Sequence, residues 1–120
     1  MILGKSNNII DAHHAFAQGF GNIVISDQGN ASGKLNLIDS NAQNAHVEGY
    51  YNVASDKQAH AEGARTKASA ENAHAEGEWT AARGKDSHAE GYGALTGEKA
   101  AHAEGYGTAA TGYGSHAEGC

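Results

Sequence analysis

The sequence predicts an all-β protein built as a solenoid, a parallel β-roll of 14-residue repeats with two short strands in each turn. Three observations carry that prediction. Histidine recurs at His46, His60, His74, His88, His102 and His116, fourteen residues apart each time, and Glu48, Glu62, Glu76, Glu90, Glu104 and Glu118 follow two places on. Glycine keeps the same period directly after each glutamate, at Gly49, Gly63, Gly77, Gly91, Gly105 and Gly119. Proline is absent, so no backbone donor is missing from any hydrogen-bonded ladder.

Taken in order, the units begin at Gly4, Gly19 and Gly33 and then at the six glycines just named, with steps of 15, 14 and 16 before the step settles at 14. The first part of the chain is thus the same array in degenerate form: "FAQGFG" at 16–21 and "NASG" at 30–33 stand where later units have "HAEGYG" and "HAEG". The extra residues read as insertions at corners, which solenoids tolerate. One repeat domain is expected over 1–120, with degenerate repeats at 4–48 and regular 14-residue repeats at 49–119. The chain stops after a full unit with nothing that caps the stack, and so reads as a segment of a longer one, with Cys120 an incidental free thiol.

Within each unit a second rhythm identifies the interior. Three residues after the glycine stands Asn or Thr (Asn7, Asn22, Asn36, Asn52, Thr66, Thr80, Thr108), with Ala94 the exception. Two further on lies Ala54, Ala68, Ala82 or Ala110, and Thr96 in the odd unit. Half a unit later come Ala59, Ala73, Ser87, Ala101 and Ser115, then Ala61, Ala75, Ala89, Ala103 and Ala117. Each unit therefore reads as two seven-residue halves, each an alternating stretch with one buried face followed by a turn. The unit-start glycines, with Gly84 and Gly112 at the mid-unit corner, are expected to supply the positive φ of tight turns. A helix fails because alanine would be its only apolar stripe.

Composition alone would argue for disorder: Leu, Ile, Val and Phe number fifteen, twelve of them before residue 40, and the net charge is −6. A register kept over six repeats argues the other way. An interior of small residues lets two sheets approach closely but removes little apolar area from water, so one roll is marginal and association of several chains is expected. The acidic balance and scattered Lys and Arg disfavour nucleic acid. No apolar run reaches bilayer length, and the first residues lack the pattern of a signal peptide, so membrane insertion is not expected.

If Ser and Ala of "SHAEG" point inward, His and Glu must point outward on one sheet face, forming two parallel ladders. Stacked like charges repel, so each ladder must be largely neutral or interleaved with opposite charge. Four roles are open: pairing between chains that sets register and chain number, a solubilising outer face, a metal array, or catalysis. His and Glu at i, i+2 without Cys match no closed zinc pattern, and an active site is not copied six times, so neither metal ligands nor catalytic residues are assigned. No cofactor is expected.

The pattern Gly-x-x-Asn/Thr-x-Ala-x-Gly-x-x-Ser-x-Ala resembles the head repeat of trimeric autotransporter adhesins, the YadA-like head, and the His-Ala-Glu-Gly variant is similar to repeats of bacteriophage tail-fibre and tail-appendage proteins. The resemblance is tight from Ala45 to Gly119 and loose from Gly4 to Gly33. It implies a left-handed roll, three chains about one axis, and an inter-chain position for the columns where the adhesin form has Val and Ile, which here are the His ladder (His46 to His116) and the Glu ladder (Glu48 to Glu118). The function it implies is a structural fibre module of a phage or prophage tail involved in host attachment, located in the virion tail and not an enzyme. The alternative is the head segment of a bacterial surface adhesin that binds host matrix or glycan. Tyr50, Tyr92, Tyr106 and Phe20, with Tyr51 and Trp79 beside them, are expected to pack over one end of the small-residue core, or else to face a receptor or sugar.

Overall fold

The computed structural model describes residues 1–120 and is all-β. The chain winds as a parallel solenoid with two sheets, one of nine strands and one of eight, in which each strand pairs only with those one turn before and after it. Its dimensions are 39 × 21 × 12 Å, a thin slab elongated along the stacking axis.

The two halves of a unit are unequal, unlike the equal halves that the seven-residue rhythm suggests. The larger sheet holds five-residue strands such as His60–Ala64, His74–Glu78 and His88–Tyr92, whereas the smaller sheet holds two-residue strands such as Lys67–Ala68, Ala81–Ala82 and Leu95–Thr96. Register is in phase throughout the regular repeats, so His74 pairs with His60 and His88, and Glu76 with Glu62 and Glu90. The insertions fall at the corner that follows the short strand, around Asp11–His14 and Ser40–Gln43, and leave both ladders continuous.

The interior is the predicted one. Ala54, Ala61, Ala68, Ala75, Ala82, Ala89, Ala103 and Ala110 are buried, and Ala117 is only partly covered because no turn lies above it. In the early turns the same columns hold Val24, Ile38 and Val47, also buried. The Asn column forms an internal hydrogen-bonded ladder. The Asn36 side-chain amide donates to the Ser32 and Gly49 carbonyls at 2.8 and 3.0 Å, while its Oδ1 accepts the backbone N–H of Asn52 at 3.0 Å. Backbone groups that the corner leaves unpaired are thereby satisfied inside the roll. From Thr66 onward the shorter side chain takes over; Thr66 still donates to Asn52 Oδ1 at 2.9 Å, but the buried hydroxyls of Thr80 and Thr108 have no partner. The odd unit explains itself, since Thr96 donates to Ser87 across the core at 2.8 Å.

The glycines need two corrections. Gly49, Gly63, Gly77, Gly91, Gly105 and Gly119 do have positive φ, but they sit within the long strands rather than in the turns beyond them. Their constraint is also steric: a Cβ on Gly63 would stand 2.0 Å from the Gly77 carbonyl oxygen. Gly84 and Gly112 do not supply positive φ at the other corner; Gln58, Asn72, Asp86, Ala100 and Gly114 do. Gly84 is instead required by space, because a Cβ there would lie 1.9 Å from the Glu98 carbonyl oxygen.

Candidate functional site: a histidine and glutamate face

Alternation along the long strands puts His and Glu on the outer face of the larger sheet, with the intervening Ala buried, as in the pattern His88 half-buried, Ala89 buried, Glu90 half-buried. In-phase pairing then stacks equal residues. From His60 to His116 the imidazoles lie parallel, with ring centroids 4.5 to 5.0 Å apart, while His46 meets His60 edge-on. The first turns have no such ladder: Phe16 and Asn30 occupy the His column, and Leu3, Gln18 and Ser32 the Glu column.

Each imidazole Nε2 faces the Glu of its own turn, at 3.4 Å for His60 and Glu62, 3.5 Å for His74 and Glu76, 3.5 Å for His88 and Glu90, and 3.6 Å for His102 and Glu104. His88 Nε2 also lies 3.7 Å from Oε1 of Glu76 one turn earlier. These separations exceed good hydrogen-bond distances. The Nε2 atoms of His60, His74, His88 and His102 are shielded from water and have no hydrogen-bond partner, although their side chains are between 34% and 38% exposed.

The carboxylates answer their mutual repulsion by alternation. Hydrogen bonds with the Glu90 and Glu62 carboxyls on either side, together with burial and their charges, push Glu76 up to about 7. Glu62 and Glu90 are held below the usual range, first by their hydrogen bonds with Glu76. Glu104 is raised in turn, first by its hydrogen bond with Glu90. From Glu62 to Glu104 the like acids thus alternate between members whose proton affinity is lowered and members whose proton affinity is raised. Burial pushes His74 and His88 down, so the neutral imidazole is favoured.

Beside the Glu column runs a groove of about 1030 Å³, lined by the glutamates and the strand glycines from Gly33 to Gly119. The glutamates stand in single file, so no two face each other across a bound chain as the acid and nucleophile of a glycosidase must.

The aromatic corner is a further surface, and its expected packing over the core is not what the structure has. Phe20, Tyr50, Tyr51, Trp79, Tyr92 and Tyr106 are all exposed. Three of them meet cations: Lys34 lies over Phe20 and Tyr50, each at 5.9 Å, and Arg65 lies between Tyr50 and Trp79 at 5.4 and 5.0 Å, whereas Tyr92 and Tyr106 stack on each other at 5.1 Å. Sequence reading named the aromatics and missed both cations, although writing the columns in register places Lys34 between Phe20 and Tyr50.

Comparison of the chain with family models, with curated proteins and with solved structures finds no match.

Proposed function

We propose that this solenoid is a structural, non-enzymatic module of a homotrimeric fibre, with the His and Glu face of each copy turned toward the others. The observation that carries the reading is the incompleteness of that face in one chain. Shielded imidazole nitrogens stand without partners beside a groove floored by glycine backbone, a surface shape that admits close approach by another chain. Thin alanine packing in the same turns points the same way, because a stack with so little apolar burial gains from covering a second face. The number three, the left hand of the roll and the placement in a phage or prophage tail, where such a fibre would hold a host-attachment region away from the particle, rest on the resemblance of the repeat. Polar ladders at such a contact would set register between chains, a role that buried polar groups fill in coiled coils.

The exposed cationic and aromatic corner favours a second reading, the head segment of a bacterial surface adhesin, because Tyr, Trp and Arg are the residues over-represented in binding hot spots.

Light scattering coupled to size exclusion tests the first reading. A mass three times the 12.3 kDa of the chain is expected, and substituting His74, His88 and His102 together by Ala should lower it. A monomer across the micromolar range removes the proposal.

A further inference from the structure

Spacing along the chain excludes a closed zinc pattern, but ligand sets can also be assembled across turns, where the sequence does not display them. His88 Nε2 lies 3.5 Å from Glu90 Oε2 in its own turn and 3.7 Å from Glu76 Oε1 in the turn before. Both separations are too long for a hydrogen bond. They are close to the edge of a coordination tetrahedron: ligands about 2.0–2.2 Å from a zinc-like ion stand roughly 3.3–3.6 Å from one another. The donor atom is shielded from water and has nothing else to bind. Such an atom is costly to bury without a partner and well placed to meet a cation.

We infer that the His and Glu face is a binding array for first-row divalent transition ions of the zinc class, each held by imidazole and carboxylate groups drawn from two successive turns, as by His88, Glu90 and Glu76. Comparable sets recur with varying composition. Donor atoms of His74, Glu76 and His88, two imidazoles and one carboxylate, lie within 4.8 Å of one another, and so do those of Glu90, His102 and Glu104, one imidazole and two carboxylates. Overlapping sets share a ligand, as Glu90, His102, Glu104 and Glu104, His116, Glu118 share Glu104, so occupancy at every second turn is the arrangement that gives each ion its own ligands. Mixed nitrogen and oxygen donors suit zinc, cobalt and manganese, whereas calcium needs six or more oxygens, which a single-file ladder does not gather. An ion bound in this way bridges neighbouring turns, and its fourth position is open to water or to a group from another chain. The inference does not depend on the number of chains.

The test uses the full chain, stripped of metal with a chelator and dialysed into neutral buffer. Calorimetric titration with zinc chloride should show more than one ion per chain, calcium chloride should bind far more weakly, and cobalt chloride should give the intense visible bands of a four-coordinate ion. The isosteric triple variant Glu76→Gln, Glu90→Gln, Glu104→Gln should lose zinc affinity by more than about tenfold. A variant with His13→Asn and His14→Asn, which removes exposed imidazoles outside the array, should bind as the parent does. No zinc uptake, or uptake unchanged by the triple variant, overturns the inference. Should the triple variant fail to fold, imidazole nitrogen resonances of the parent decide: zinc must shift Nε2 of His74, His88 and His102, and unshifted resonances overturn it equally. Light scattering with and without zinc separates this inference from the proposed function, since a monomer that takes up zinc defeats only the trimer and a trimer that takes up none defeats only the array.

Discussion

The first three turns and the last five use one backbone plan and different means of holding it together. In the early turns Val24 and Ile38 fill the core, a ladder of asparagines satisfies the corner, and the outer face carries Phe16, Gln18, Asn30 and Ser32. From His60 onward the core is mostly alanine, Thr80 and Thr108 leave their hydroxyls unpaired inside, and the outer face becomes two ladders of titratable groups with unpartnered nitrogens. Early turns are thus stabilised from within. Late turns leave bonding capacity unused both inside the roll and on its outer face. In a solenoid each turn contacts only its neighbours, so the halves can differ in stability while the register is kept.

The largest expected effect tests what the halves share. Gly63→Ala drives a Cβ to 2.0 Å from the Gly77 carbonyl at φ 109°, and Gly19→Ala does the same against Gly33. Both should cost more than about 4 kcal/mol in denaturant unfolding. Gly107→Ala, with nothing within 4 Å and φ 65°, should cost only about 1–2 kcal/mol. Equal costs at Gly63 and Gly107 would show that backbone conformation, and not the close stacking of turns, imposes the glycine column.

Core substitutions should separate the halves. Ile38→Ala is expected to cost about 2–5 kcal/mol, as emptied aliphatic sites do. Its counterpart Ala82→Gly removes a single methyl and should cost about 1 kcal/mol or less. Amide exchange resolved by turn is the measurement, and matching losses would mean that the aliphatic core adds nothing local.

Smaller again is Asn36→Ala, which strands the Ser32 and Gly49 carbonyls and the Asn52 N–H at roughly 1–3 kcal/mol for a buried unsatisfied group. Opening should increase in the turns around Asn36 and leave those around His102 protected.

The late turns alone should respond to proton linkage at Glu76. Its folded value of about 7 lies above the ordinary 4.5, so the proton it shares stabilises the fold at low pH, and that contribution fades as pH rises from about 4.5 through about 7. Glu76→Gln keeps a donor at every pH, so in metal-free buffer the variant should gain stability relative to the parent across that interval. A difference that does not vary with pH would show that the carboxyls are not sharing protons. His74 and His88, lowered from 6.5, act with opposite sign, costing the parent and the variant alike stability as pH falls below 6.5.

The smallest change should have the opposite sign. Thr80→Val removes a buried hydroxyl that has no partner, and is expected to be neutral or to stabilise by up to about 1 kcal/mol. The comparable removal at Asn36 is destabilising because that side chain is fully bonded, so a loss on Thr80→Val would reveal a hydrogen-bond partner for its hydroxyl inside the roll.

The sequence by itself determined the period, the all-β solenoid, the buried alanine columns and the outward direction of His and Glu, because strand alternation and a repeat that is strict over 49–119 can be seen in the linear order of residues. It did not display the unequal strand lengths, since small residues alternate as readily through a bend as through a strand. Nor did it show that bulky residues such as Tyr51, Arg65 and Trp79 take positive φ at the corner where Gly93 and Gly107 do so freely, because the ladders on either side hold the backbone there against local preference. Tertiary structure alone decided the contacts that matter for chemistry: Glu76 stacked between Glu62 and Glu90, His88 facing two carboxylates, and Arg65 lying between Tyr50 and Trp79. Most of these pair residues from successive turns, fourteen or so positions apart in the chain and about 4.8 Å apart in space, a proximity that only the winding of the solenoid creates.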